Sequence, residues 1–312
     1  MAVAVTAMRA SSLRAWWEMV RPFSFPGSVV PVAVGSAIAW AGGRAEAAAL
    51  PLVLLGLVLT QSGTNVVNEV VDVDRGVDTP TAIRPSRVLI EGRLSGASAR
   101  RGGVLLLALG AAVGGVLALA FRLGPLPALF GLAGALIGYS YTGAPLHLKY
   151  RALGLPAVAL ALGPLAVLGA QYVQARALTA GALLASLPVG SLVAAILLAN
   201  DIRDLAGDRA AGIRTGATVL GRQRAWRLYV GLLLFAYAVV AGGVATHLLP
   251  RPALLAFLSA PLAWGAVASV GRAPSQRAAE HALARLDVRS AGLHLVFGLL
   301  LATGLGLPAL GL

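Results

Sequence analysis

Nine apolar runs, at about 23–41, 47–67, 103–121, 124–140, 154–171, 179–199, 226–247, 252–270 and 290–310, take up most of this 312-residue chain. Each approaches the ~20 residues that a helix needs to cross the hydrocarbon core of a bilayer. No water is available there to hydrogen-bond a peptide group, so a spanning segment satisfies its own backbone, and helices are expected rather than a sheet. The expected fold is all-α, a polytopic membrane protein with nine transmembrane helices. Composition agrees: 58% of residues are hydrophobic, mean hydropathy is +0.83, and only 12% are charged, against roughly 25% in globular domains. Ala, Gly, Leu and Val dominate the runs and let helices pack closely. No separate soluble domain is visible, so the chain reads as a single transmembrane domain over 1–312. The segment 1–20, with Arg9, Arg14, Trp16, Trp17 and Glu18, is mildly amphipathic and reads as an interfacial helix rather than a cleavable signal.

A net charge of +13 invites thoughts of nucleic acid, but its distribution argues against that partner. With a cytoplasmic N-terminus, 21 of the 25 Lys and Arg fall on the cytoplasmic side; only Arg44, Arg122, Arg176 and Arg251 fall outside. This bias sets an N-in, C-out orientation and makes most of the basicity topogenic. The expected location is a bacterial or archaeal inner membrane. The absence of cysteine excludes disulfides, thiolate catalysis and cysteine-ligated zinc, and the four His are scattered. All the basic residues but Lys149 are Arg.

Seven of the twelve acids gather in two matching clusters at the ends of apolar runs. The first is Asn68-Glu69-Val70-Val71-Asp72, followed by Asp74 and Asp78; the second, 132 residues on, is Asn200-Asp201-Ile202-Arg203-Asp204, followed by Asp208. Carboxylates beside membrane-length segments are costly, which marks them as a functional site. Helical spacing puts Asn68 and Asp72 on one face, and Asn200, Asp204 and Asp208 on another. Each cluster then presents an amide oxygen and carboxylates, a donor set that suits Mg2+ completed by substrate phosphate and water. Two such clusters suit metals on either side of a diphosphate, where they would stabilise charge on departing pyrophosphate. An EF-hand fails on spacing, since the ligand position after Asp72 and Asp74 is Gly76. Glu69 faces away from Asp72, and Asp74 reads equally well as a turn residue. The recurrence hints at two four-helix halves with a ninth helix added.

The polar loop from Tyr139 to Arg151 has no acid but carries Lys149 and Arg151, cations suited to diphosphate oxygens or, alternatively, to topology alone. Tyr139 and Tyr141 fit either an interfacial belt or aromatic faces that stabilise a cation. Arg87 is a further phosphate candidate from the loop 68–102, which also holds the breakers Thr79-Pro80 and Arg84-Pro85. Arg21 opens the first run, where an anchor at the membrane edge is the simpler role. His147 reads as a surface residue.

Together these stretches resemble the UbiA-type intramembrane prenyltransferases, most nearly the branch that prenylates 1,4-dihydroxy-2-naphthoate. The likeness rests on Arg21-Pro22, Asn68 to Asp78, Arg87 to Gly92, Tyr141-Thr142-Gly143 through Arg151, Gly163 to Val167, and Asn200 to Gly212 followed by Arg214-Thr215. Glu69 departs from the Asp usual in the family but keeps the carboxylate. The resemblance implies nine helices around a central cavity. It implies Mg2+, as two ions bridged by the substrate diphosphate, held by Asn68, Asp72, Asp204 and Asp208 with Asp78 and Asp201; Asn200 belongs to the same donor set. It also implies diphosphate contacts from Arg87, Lys149 and Arg151, to which Arg21 is added. Asp72, Asp204, Lys149 and Tyr141 are the expected catalytic residues. The expected partners are an isoprenyl diphosphate, an aromatic acceptor and the bilayer. The reaction would be polyprenyl transfer to 1,4-dihydroxy-2-naphthoate in menaquinone-type quinone synthesis.

Other acceptors within the family are the nearest alternatives: 4-hydroxybenzoate, homogentisate or a glycerol phosphate lipid. A CDP-alcohol phosphotransferase would open with Asp-Gly-x-x-Ala-Arg, which is absent. A transporter is the alternative of a different class, but the acids sit at the ends of apolar runs rather than at their middles. Nothing usable is read from the last spans, after 230.

Overall fold

The computed structural model describes residues 12–78, 86–271 and 276–310; Arg9 and the breakers Thr79-Pro80 and Arg84-Pro85 lie outside them. Every named element is helical, and apart from one isolated bridge between Arg151 and Arg214 no strand occurs among the described residues. In chain order the main helices are α1 (Ser12–Ser24), α2 (Pro26–Ala41), α3 (Ala47–Asp74), α4 (Gly96–Ala120), α5 (Leu126–Thr142), α6 (Gly154–Ala175) and α7 (Ala180–Arg203). They continue with the short α8 (Leu205–Ala210) and α9 (Gly216–Leu220), then α10 (Arg222–Ala245), α11 (Arg251–Val270), α12 (Gln276–Ala284) and α13 (Leu286–Ala309). Seven of these, α3, α4, α6, α7, α10, α11 and α13, are long and apolar enough to cross a membrane. The pair α1–α2, bent by 49°, makes an eighth if it is one span; α5 is apolar but only 17 residues long. Leu119, Leu234 and Leu258 stand out from the surface, as side chains do when lipid is the solvent. This is a multi-pass membrane protein.

The acidic end of α3 departs from expectation. Hydropathy falls at 67, but the helix runs on to Asp74 and stops only where Gly76 takes a φ of 68°, a conformation glycine adopts without strain. Residues 68–74 are thus helix, not loop. The next helix starts at Gly96, where the Ser95 hydroxyl caps it by accepting from Ser98 N at 3.2 Å. In the second cluster α7 ends at Arg203, Asp204 is its cap, and Asp208 sits on the separate α8. Asn200, Asp204 and Asp208 therefore do not share one continuous helical face, because the chain turns at Asp204.

Tight helix contacts hold this frame. A Cβ on Gly163 of α6 would lie 2.8 Å from the Gly190 Cα of α7, and one on Gly190 would lie 2.4 Å from the Ala159 carbonyl. Only bare backbones approach so closely. Here α6 widens into a π turn, Ala161–Leu165, around Pro164, which has no N–H to give to the helix. The largest core cluster joins α2, α7, α10, α11 and α13 through residues such as Val30, Leu198, Tyr229, Ala256 and Phe297. A smaller one fastens α1 to α3 and α4: Ala15 and Met19 are fully buried with Val66, Val70 and Ala99, while Trp17 stays exposed. From Ser12 on, the expected interfacial segment is thus docked along one face.

Candidate active site

A cavity of about 670 Å3 lies between the helices, and residues of both acidic clusters line it. Asn68, Asp72 and Asp78 come from the end of α3 and the turn after it; Asn200, Asp201, Asp204 and Asp208 come from α7 and α8. Lys149, Tyr141 and Arg21 line the same space. The clusters are far apart in the chain, so their convergence comes from the bundle.

Each cluster already holds a cation. Lys149 Nζ donates to both Asp72 oxygens, at 2.8 and 2.6 Å, and the Tyr150 hydroxyl adds a third bond at 2.5 Å. Burial, then the Asp72 charge, raises the pKa of the Tyr150 hydroxyl above the usual phenol range and keeps it a donor. In the second cluster Arg203 grips Asp204 with two bonds of 2.9 Å and also pairs with Asp287 of α13. Asp201 accepts from Gly216 N at 3.1 Å, and Asp208 from the Thr215 hydroxyl at 3.3 Å. These two acids clamp the turn that opens α9 as well as face the cavity.

Other expected site residues are placed differently. Arg87 forms an ion pair with Glu91 at 3.6 Å and is not among the cavity-lining residues; Arg151 is exposed, donates to the Pro145 carbonyl at 3.3 Å and is likewise not among them. Arg21 faces the cavity and pairs with the buried Glu69 at 3.6 Å, so it does more than anchor at the membrane edge. Glu69 also accepts from the Ser86 hydroxyl at 2.7 Å and points away from Asp72, as its helical position requires. Asp74 is exposed and pairs with Arg100. Tyr141 is on the cavity wall, whereas Tyr139 is 38% exposed and outside it. His147 holds the Thr142 carbonyl at 2.6 Å. Sequence reasoning missed Tyr150, Arg203 and Asp287 as functional groups, although Asp287, an acid opening an apolar run, was a signal.

Among the described residues no three His, Cys, Asp or Glu converge closely enough to hold an ion by themselves. Mg2+ does not demand such a cage: it takes one or two carboxylates and leaves the rest of its octahedron to water and phosphate. A donor set of amide and carboxylate oxygens around one cavity, with neither sulfur nor a paired imidazole, fits that ion. Asn68 with Asp72, and Asn200 with Asp204 and Asp208, are the groups that would hold it.

Comparison with known proteins gives three findings. The family model described as the UbiA prenyltransferase family matches residues 28–309. A 1,4-dihydroxy-2-naphthoate octaprenyltransferase from Bacillus subtilis is 32% identical over 253 residues, covering 78% of each chain, and UbiA prenyltransferase domain-containing protein 1 from Gallus gallus is 34% identical over 297 residues, 93% of this chain and 86% of its own. The solved structure of a UbiA homolog from Archaeoglobus fulgidus, bound to GPP and Mg2+, shares the fold with a TM-score of 0.65 at 18% identity, over 93% of this chain and 99% of that one.

Proposed function

The chain belongs to the UbiA prenyltransferase family and is a membrane prenyltransferase; we propose that it transfers a polyprenyl group from an isoprenyl diphosphate to an aromatic acceptor, 1,4-dihydroxy-2-naphthoate, in menaquinone-type quinone synthesis. The observation that carries this reading is the meeting of both acidic clusters and Lys149 in one largely apolar cavity. The 1,4-dihydroxy-2-naphthoate octaprenyltransferase from Bacillus subtilis supports the acceptor. The Archaeoglobus homolog of the same fold, solved with GPP and Mg2+, supports the metal and the donor substrate. The whole chain forms one domain of nine crossings, N-in and C-out in a bacterial or archaeal inner membrane, with α1–α2 as one bent span and the short α5 as another.

Asn68 and Asp72, and Asn200, Asp204 and Asp208, would hold two Mg2+ ions, which would supply positive charge to stabilise the departing diphosphate. Lys149 binds diphosphate oxygens, a compact ammonium exchanging one anion for another. The Arg203–Asp287 pair orients Asp204. As the allylic C–O bond of the substrate breaks, the Tyr141 ring faces the cation that develops. Apolar walls exclude the water that would quench it. The electron-rich acceptor ring then attacks, and loss of a proton, or of CO2 from the naphthoate, restores aromaticity. The polyprenyl tail stays among the apolar helices.

Purified protein incubated with labelled isoprenyl diphosphates and a panel of hydroxylated aromatic acids tests this. The expected result is pyrophosphate release and prenylated naphthoate, both dependent on Mg2+ and abolished by EDTA. Transport of the acids without pyrophosphate release would overturn it.

A further inference from the structure

Below the acidic end of the cavity, α1, α2, α3 and α13 meet at a set of polar side chains. Gln61 donates to the Ser24 carbonyl at 2.6 Å and to its hydroxyl at 3.0 Å, and accepts from Ser28. Asn65 donates to the Val20 carbonyl at 3.0 Å and to the Ser24 hydroxyl at 3.1 Å. These two amides bind the bent α1–α2 pair to α3.

His294 is different. It lines the same cavity, is 1% exposed, and neither ring nitrogen closes a hydrogen bond. The Pro26 carbonyl lies within reach of one ring N–H, so the other ring nitrogen is the acceptor left without a donor. Asp287, Val288, Ala291 and His294 all face the cavity, so one stripe of α13 forms its wall. Seven residues of helix span about 10 Å, which sets His294 two turns deeper than Asp287, the partner of Arg203. One turn further, Gly298 packs against Val30, so the ring's position is fixed by tight contact of α13 with α2.

Buried polar groups in folded proteins are nearly always hydrogen-bonded. A neutral imidazole offers one donor and one acceptor, and a hydroxyl is its complement. An isoprenyl chain has neither, and a diphosphate belongs with Lys149 and the acidic clusters at the other end of the cavity. We propose that His294 hydrogen-bonds a phenolic hydroxyl of the aromatic acceptor and so fixes which ring carbon meets the allylic carbon. This rests on the transfer reaction proposed above.

His294→Leu and His294→Asn decide the matter, assayed at saturating isoprenyl diphosphate with 1,4-dihydroxy-2-naphthoate and with its two mono-O-methyl ethers as competitors. The Leu variant is expected to insert and melt like wild type, since it removes an unpaired polar group from an apolar wall. Its KM for the naphthoate should rise at least ~10-fold, the value of one good hydrogen bond, while the KM for isoprenyl diphosphate stays within about twofold. Wild type should prefer the free hydroxyl over one of the ethers; that preference should vanish in Leu and survive in Asn. Unchanged acceptor KM and preference in an active His294→Leu would overturn this assignment alone. Equal rises in both KM values would mark a structural residue and overturn it too. If Leu fails to insert, wild type decides: indifference to both ethers refutes the contact. No transfer by wild type to any hydroxylated ring would remove the reaction itself.

Discussion

Asp72 accepts three hydrogen bonds in this structure, two from Lys149 and one from Tyr150, and Asp204 accepts two from Arg203. Neither carboxylate is a solvated loop acid. Asp72→Ala and Asp204→Ala are each expected to reduce turnover at least ~100-fold while the protein still folds and inserts, because charge meant for the leaving group's site is lost. Asn68→Ala, which removes a neutral oxygen, should cost less. Rates within tenfold of wild type in both Asp variants would end the metal reading. Lys149 gives a second test. Were it topogenic, Arg would replace it silently; as a diphosphate ligand its compact ammonium has a reach that a planar guanidinium lacks. Lys149→Arg should lower kcat/KM for isoprenyl diphosphate several-fold, and Lys149→Ala more, with a smaller change in acceptor KM. Wild-type kinetics in Lys149→Ala would refute the role. The acids were legible because they are scarce and clustered. Their partners were not: Tyr150 lies 78 residues from Asp72, and Asp287 lies 84 from Arg203. Pairing across such separations leaves no mark in a single sequence.

At the scale of helices, the apolar runs located the elements well and their ends poorly. Hydropathy drops where side chains turn polar, but the backbone stays helical until something stops it. On α3 that stop is Gly76, several residues beyond the apolar run. The same blindness hid the break at Asp204, which separates α7 from α8. Close approach of α6 and α7 was equally invisible, since a glycine's use depends on what faces it. Gly190→Leu is expected to force these helices apart, because even a Cβ there meets the Ala159 carbonyl at 2.4 Å. Overpacking of this kind costs about 1–3 kcal/mol, and α7 carries Asn200 and Asp204, so thermal stability in detergent and turnover should fall together. A variant with wild-type melting and rate would show that the interface yields freely. Gly207→Ala, with nothing within 4 Å of an added Cβ, is the matched control.

Over the whole molecule, orientation follows from charge rather than from contacts. Helix packing is indifferent to which side of the membrane it faces, whereas Lys and Arg resist translocation. With the nine crossings proposed above, 21 of the 25 basic residues would fall on the side that bears Asn68 to Asp78 and Asn200 to Asp208. Substrates made in the cytoplasm would then reach the acidic end of the cavity directly. The chain has no cysteine, so single cysteines can be placed without removing any. Ala97, exposed at the start of α4, and Ala45, exposed between α2 and α3, lie on opposite sides if α3 crosses the membrane. In intact cells an impermeant maleimide should label Ala45→Cys and leave Ala97→Cys untouched until the membrane is opened. Because α3 alone separates the two positions, the reverse pattern would invert the protein and put the acidic clusters outside. Labelling of both from one side would mean that α3 does not cross, and the span count would fall with it.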